Sequence, residues 1–261
     1  MKVFKKILLI SLLSLTTVSG FAQFSTEEQF DSIENLILYN KIQTFGIVIH
    51  NLGMGFNFRK GKRLSIFKTR LWEVEGVYVS SYKQKKMQNP YFANSRRYIY
   101  GKLNDLFFLR GGIAWKKLLN DKPEWMNGVE VRFHYGFGAT LGITKPYYLY
   151  VIYFFETTPG YYDYEIKTER FDPSKLSWDD IYGRAPFTKG IDEISLHPGA
   201  YVKASLNFEF GNRDTKVKAL EVGAIIDFTP TGPQIMSEQV NKYVYPTLYI
   251  SYQFGKRFNE Y

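Results

Sequence analysis

The sequence contains no cysteine. This excludes disulfide frameworks, thiol catalysis, Cys-ligated zinc and a lipid-modified N-terminal cysteine. Histidine is also scarce: the three residues His50, His134 and His197 have none of the close spacings of a paired metal site. We therefore expect no metal ion and no cofactor.

Long hydrophobic runs are missing as well. The N-terminal apolar stretch, 7–15, is shorter than the about 18 residues that a membrane-spanning helix needs. Three lysines precede this stretch. The small residues Gly20 and Ala22 occupy positions −3 and −1 of a signal-peptidase cleavage site. The pattern predicts an export signal over 1–22, cleaved after Ala22.

The segment after the signal is predicted to be periplasmic and to cover 23–43. It contains a short helix over 25–38, because Thr26 and Gln29 have the spacing of a capping box. Neither a linker nor a fixed-period repeat follows, so 44–261 is expected to be one domain, a barrel in the outer membrane.

The mature chain alternates between apolar and polar residues with a period of two. From Val129 to Ile143 the odd positions are apolar, and the even positions are polar or glycine. This alternation predicts β-strands with one apolar face. Eight strands are predicted, over 44–58, 64–80, 103–118, 126–143, 146–155, 194–210, 216–229 and 242–255.

One apolar face per strand fits a soluble sandwich, a lipocalin-type barrel or a membrane barrel. The strands are long enough to cross a bilayer, which takes about 9–11 tilted residues each, and aromatic residues gather near strand ends. We predict an all-β, antiparallel, up-and-down transmembrane β-barrel, with eight strands favoured and ten possible. Val222 should then face lipid, and the neighbouring Gly223 should accept a small polar residue.

Five short sequence motifs support this prediction. They lie at 101–105, 109–110, 128–130, 141–146 and 181–187. On these motifs the chain resembles small outer-membrane β-barrel proteins of two-membrane bacteria, in particular a group of about this length. The resemblance covers nearly the whole mature chain. It implies a fold and a compartment, the outer membrane, and implies no activity.

Polar positions of the strands should face a narrow lumen. An eight-stranded barrel has room for side chains but not for an open pore, so charges there must form a mixed-sign network. The network is interpreted as a structural plug, with a proton or ion path as the alternative. Its predicted members are Glu73, Glu75, Arg110, Glu130, Arg132, His134, Lys203, Glu209, Glu221 and Asp227.

The long segment 156–192 is rich in aromatic residues and is predicted to bind a partner or to seal the barrel mouth. The predicted partner-binding residues are Tyr182, Arg184, Pro186 and Phe187, because a guanidinium flanked by rings is typical of binding hot spots. In the rival interpretation Arg184 pairs with an acid in the barrel mouth. If both termini are periplasmic, the predicted strands place 81–102 in the periplasm and 156–192 outside.

The favoured function is that of a non-enzymatic outer-membrane barrel, either structural or an accessory subunit of an envelope protein complex. One alternative is a lipid A hydrolase or acyltransferase, in which Ser195 and His197 would share a strand face. Another is a soluble periplasmic barrel that binds a small apolar ligand. The expected partners are outer-membrane lipid, including lipopolysaccharide, and envelope proteins, because lipid phosphates attract a basic chain; nucleic acid is not expected.

Overall fold

The computed structural model describes residues 39–92, 94–121, 128–210, 215–237 and 242–259. The predicted signal peptide 1–22, its cleavage after Ala22 and the predicted helix 25–38 lie outside the described residues. No helix long and apolar enough to cross a membrane is present in the part of the chain that the structure describes.

The described residues form thirteen strands. In chain order these are β1 (Lys41–His50), β2 (Gly53–Arg63), β3 (Lys68–Val79), β4 (Lys86–Met87), β5 (Tyr98–Ile99), β6 (Asn104–Asn120), β7 (Glu130–Pro146), β8 (Tyr148–Thr158), β9 (Tyr161–Arg170), β10 (Ile181–Arg184), β11 (Ser195–Glu209), β12 (Lys216–Phe228) and β13 (Val244–Phe258).

Eight of these strands close into a barrel in the order β1-β13-β12-β11-β7-β6-β3-β2. Every neighbouring pair is antiparallel, and each barrel strand pairs with the barrel strands before and after it in the chain. The first and last strands complete the circle, from Lys41 opposite Phe258 to His50 opposite Tyr249. The prediction of an all-β, antiparallel, up-and-down barrel of eight strands is confirmed.

Two of the eight predicted strands do not form single strands of the barrel, and the two errors cancel in the count. The predicted strand 44–58 is a hairpin of β1 and β2, in which His50 pairs with Gly53. The exposed apolar positions change there from odd (Ile47) to even (Phe56). A continuous strand keeps one phase, so this change of phase marks the turn.

The predicted strand 146–155 lies outside the barrel. It forms β8, the central strand of a three-stranded sheet with the order β10-β8-β9. Its apolar residues on both faces, such as Leu149, Val151 and Ile152, are buried. This is the pattern of a strand in a second core, since a strand of a membrane barrel keeps one polar face.

The corrected hairpin changes the placement of the long loops. Residues 39 and 259, the two ends of the described chain, and the turn 64–67 lie at one end of the barrel, which we call the terminal end. The segments 80–103 and 147–194 both lie at the opposite end, and we call these two segments the cap. The placement of 81–102 and 156–192 on opposite sides was therefore wrong.

The barrel is apolar outside and polar inside. On every barrel strand large apolar side chains alternate with buried ones, and they point away from the lumen. One exposed example from each strand, in the order β1, β2, β3, β6, β7, β11, β12 and β13, is Ile47, Phe56, Trp72, Leu109, Phe137, Val202, Val222 and Ile250.

Gly223 lies on the inner side of β12, but the prediction that it accepts a small polar residue was wrong. A Cβ atom at this position would lie 2.3 Å from the Cβ of Ser205 and 2.5 Å from the carbonyl oxygen of Ala204. Strands β11 and β12 approach each other closely here, and any side chain would push them apart.

Candidate functional site

All ten residues predicted for the lumen lie on the inner face of the barrel strands. Nine of them are buried, and the side chain of Glu130 is partly buried at 14% exposure. Ion pairs join them into groups that cross the lumen between strands far apart in sequence. The arrangement is a central network of salt bridges, with separate pairs at one end of the lumen.

Arg59 of β2 lies at the centre of the network, although it was not among the predicted residues. Its guanidinium is fully buried and donates to both carboxylate oxygens of Glu221, at 2.6 and 2.8 Å, and to Glu73. The prediction missed Arg59 because it ended the first strand at 58. The alternation of buried odd positions along β2 includes it.

A second group lies nearer the cap. Arg110 donates to both oxygens of Asp227, at 2.8 and 2.7 Å, and to Glu75. Lys203 connects the two groups, because its ammonium donates to Glu73 and to Glu75 at 2.7 Å each. Five strands thus contribute to one set of charge-assisted hydrogen bonds, which are stronger than neutral ones.

Glu221 accepts more hydrogen bonds than any other carboxylate of the described lumen. Besides Arg59, the Tyr249 hydroxyl donates to it at 2.5 Å, the Gln253 amide at 2.8 Å and the Asn207 amide at 3.1 Å. Removing charges from water is costly unless their hydrogen bonds are satisfied. The hydrogen bonds of Glu221 therefore tie strands β2, β11, β12 and β13 to one another across the lumen.

The terminal end of the lumen carries separate pairs. Arg132 pairs with Glu130, and Arg257 donates to Glu209 at 2.6 Å. His134 is fully buried between these pairs and the central network, with its Nε2 atom 3.4 Å from Glu73. The histidine is thus part of the packed lumen.

The candidate catalytic pair Ser195 and His197 lies at the barrel mouth. The Nε2 atom of His197 is 2.9 Å from the Thr144 hydroxyl, and the Nδ1 atom is 2.7 Å from the Thr231 hydroxyl. Both ring nitrogens are therefore engaged by threonines. A nucleophile and its base need to be within hydrogen-bond reach, and these contacts direct the imidazole elsewhere.

The cap has a hydrophobic core of its own, separate from the barrel. Its two segments are joined by side-chain hydrogen bonds: the Asn89 amide donates to the carbonyl oxygens of Asp179 and Ile181 at 3.0 and 2.9 Å. The buried residues of this core are Tyr98, Tyr147, Leu149, Val151, Phe171, Leu176 and Ile181.

The four predicted partner-binding residues lie at the base of the cap. The ring of Tyr182 packs edge-on against Phe92, with centroids 5.4 Å apart. The guanidinium of Arg184 lies over the rings of Tyr147 and Phe187, at 5.2 and 5.9 Å. Pro186 and Phe187 are exposed.

Three cations and one carboxylate lie together at the edge of the barrel, and we call Lys102, Asp105, Lys145 and Arg184 the rim cluster. Asp105 lies 2.5 Å from the Lys102 ammonium and 3.5 Å from Arg184. Burial lowers the pKa of Lys102 below its usual value, although Asp105 acts in the opposite direction. The contact between Arg184 and Asp105 is the one expected if Arg184 pairs with an acid in the barrel mouth, which was the rival to the partner-binding interpretation.

The hairpin of β8 and β9 projects from the cap. Its base is buried in the cap core, whereas its outer half, closed by a turn with Gly160 at φ +84°, is exposed. Six aromatic side chains of that half are exposed, and we call them the hairpin tip: Tyr153, Phe154, Phe155, Tyr161, Tyr162 and Tyr164.

The solved structures that are similar include the attachment invasion locus protein Ail of Yersinia pestis, with 9% identity, 85% of this chain and 100% of that chain covered, and a TM-score of 0.37. They also include Neisserial surface protein A, with 10% identity, 84% and 97% covered, and a TM-score of 0.35.

The chain has the fold of the small bacterial outer-membrane β-barrels. That statement rests on the closed circle of eight strands alone, and matches with TM-scores below 0.5 carry no argument. No protein-family model and no curated protein sequence matches the chain.

Proposed function

We propose that the chain is an outer-membrane β-barrel without catalytic activity that serves as a structural or accessory subunit of an envelope protein complex. The observation that carries the membrane location is the polarity of the barrel, with apolar side chains outside and paired charges inside. Each large apolar side chain left in water would cost about 1.5–3 kcal/mol relative to burial.

The same polarity argues against a soluble periplasmic barrel for an apolar ligand. Such a barrel binds its ligand in an apolar interior and presents polar residues to water. Here the interior contains Arg59, Arg110 and five buried carboxylates, while Ile47 and Phe56 point outward. A lipid-modifying enzyme is the weaker alternative, since His197 is held by Thr144 and Thr231.

The role in a complex is supported by the hairpin tip. Tyr161 and Tyr162 are 75% and 72% exposed, although large amphipathic side chains of this kind are suited to burial in a protein interface. Clustered exposed aromatic residues mark interaction surfaces, and tyrosine is enriched among the residues that dominate binding energy. The cap core anchors the hairpin, so the tip is presented by a folded base.

Affinity purification from detergent-solubilised envelopes tests the proposal. The double variant Tyr161→Ser/Tyr162→Ser should lose a co-purifying envelope protein that wild type retains. The matched control is Tyr82→Ser, which removes a cap tyrosine that is equally exposed, at 73%. Equal recovery of every partner by wild type and both variants would contradict the subunit role.

Membrane insertion is tested separately. A barrel that spans the bilayer should stay in carbonate-washed membranes and migrate faster on gels before heating than after it. Release of the folded protein by carbonate would overturn the membrane location. It would also overturn the proposed membership in a membrane-bound envelope complex.

A further inference from the structure

The rim cluster lies on the outer wall of the barrel. Asp105 of β6 and Lys145 of β7 are directly opposite each other in the strand register. The next outward pairs toward the barrel centre are Phe107 with Ile143 and Leu109 with Leu141, which belong to the apolar surface. The cluster therefore begins where the apolar surface ends, on the cap side.

The charges of the rim cluster do not balance among its members. Asp105 already accepts hydrogen bonds from Tyr78 at 3.2 Å and from Arg184 at 3.5 Å, and it pairs with Lys102. Lys145 instead donates to the Pro146 carbonyl oxygen at 3.0 Å. The cluster thus contains three cations and a single carboxylate, and two of the cations contact that carboxylate.

Both lysines of the rim cluster are buried, Lys102 at 1% and Lys145 at 4% exposure. Buried charges are normally paired, because desolvation of an uncompensated charge is costly. One further anion would reduce the excess of two positive charges in the cluster.

An approaching anion would meet Arg184 first. Its side chain is 39% exposed, and two aromatic rings hold the guanidinium in place. The ammonium of Lys145 lies behind the ring of Phe187, 4.7 Å from its centroid, and that ring is itself 50% exposed. Arg184 can therefore contact a ligand directly, while the lysines add an attractive field at short range.

We propose that the rim cluster binds the phosphate of an anionic lipid headgroup, with Arg184 as the direct contact. The inference rests on the proposed membrane location, which would put the cluster at headgroup depth. A guanidinium suits a phosphate because it offers parallel N–H donors in a planar fork. The exposed ring of Phe187 beside it suits the interface between headgroups and acyl chains.

Native mass spectrometry of the full chain, folded in detergent, tests this site. Phosphatidylglycerol and zwitterionic phosphatidylcholine are the probes, and wild type should retain the former preferentially. Arg184→Gln should weaken the apparent affinity for phosphatidylglycerol about tenfold, the order expected for one charge-assisted hydrogen bond. Lys145→Gln should weaken it in the same direction.

Two control variants accompany these changes. Lys175→Gln removes a cap cation that is 77% exposed and lies outside the cluster, and it should leave lipid retention unchanged. Arg184→Lys keeps the charge and should retain more phosphatidylglycerol than Arg184→Gln. Heat-modifiable gel mobility establishes that each variant is folded, so that a collapsed cap is not mistaken for a lost ligand.

A folded Arg184→Gln variant with the lipid preference of wild type would overturn the headgroup site while leaving the membrane barrel intact. Displacement of phosphatidylglycerol by inorganic phosphate at low concentration would also overturn it, in favour of a free anion. Failure of the proposed function would differ from both results, because the wild-type chain would then not remain in carbonate-washed membranes.

Discussion

At the scale of single residues, Glu221 has the largest share of the lumen network. Glu221→Gln keeps the shape of the side chain but leaves the Arg59 guanidinium with half of its ionic partners. Breaking a buried ion pair on one side costs about 3–5 kcal/mol. We expect a loss of that order in the free energy of unfolding, measured by urea titration in lipid vesicles.

The matched control is Glu165→Gln on β9. Glu165 pairs with Lys167 at 3.1 Å, and both side chains are more than half exposed. Exposed pairs contribute about 0–1 kcal/mol, so the control should be close to wild type. Similar losses for both variants would mean that the lumen network does not stabilise the fold.

Val222 tests the outer face at the same scale. Val222→Arg should cost about 2–4 kcal/mol in vesicles, because an arginine near the bilayer centre must be desolvated. Val244→Arg is the control: the two valines are 43% and 48% exposed, but Val244 starts β13 at the barrel edge. Its cost should be about 0–1 kcal/mol. Equal costs at both positions would contradict the assigned depth.

At the scale of residues, the sequence correctly predicted which side chains face inward and which face outward wherever the period of two was unbroken. The face of Val222 followed from alternation alone. The environment of Gly223 did not, since the 2.3 Å approach of the Ser205 Cβ atom depends on the distance between two strands. The bonds of Arg59 to Glu73 and Glu221 likewise require the register of strands that are not neighbours in sequence.

At the scale of elements, the cap and the barrel have separate cores. Leu149 is fully buried in the cap core, so Leu149→Ala should destabilise the cap by about 2–5 kcal/mol. The barrel should remain closed. We expect faster proteolysis within 171–176 and unchanged heat-modifiable mobility.

The control for this element is Phe154→Ala in the same strand. Phe154 is 64% exposed, and its removal should leave the cap as resistant to protease as in wild type. Loss of heat-modifiable mobility in Leu149→Ala would show instead that the barrel depends on the cap.

Two elements were misassigned from the sequence for physical reasons that the residues themselves contain. Asn51 and Leu52 form the tight turn of the β1–β2 hairpin. They lack the Asn-Gly or Asp-Gly pair that is the strongest sequence signal for a two-residue hairpin turn. The change of phase between Ile47 and Phe56 was the available signal. The other available signal was the stretch of β8 that is apolar on both faces. Only the folded structure shows that this strand packs into the cap core and not into the barrel.

At the scale of the whole molecule, the topology puts both long segments at one end of the barrel, and the proposed membrane location therefore puts both on one side of the membrane. The absence of native cysteine makes this testable with single cysteines and an impermeant maleimide on intact cells. Lys85→Cys and Thr157→Cys in the cap should both react. Leu64→Cys, in a turn at the terminal end, should react only after permeabilisation. Labelling of the two cap positions from opposite sides would contradict the strand order.

The pairing of β1 with β13 also has a consequence for how the barrel is made. The seam joins the two ends of the described chain, from Lys41 opposite Phe258 onward, so its contacts have the greatest sequence separation in the fold. Contacts of this kind form slowly, because a long loop must be closed first. Until β13 is delivered, β1 has an open edge able to pair with another chain. Assembly must therefore protect that edge, and sealing the seam is the step that ends the risk of aggregation.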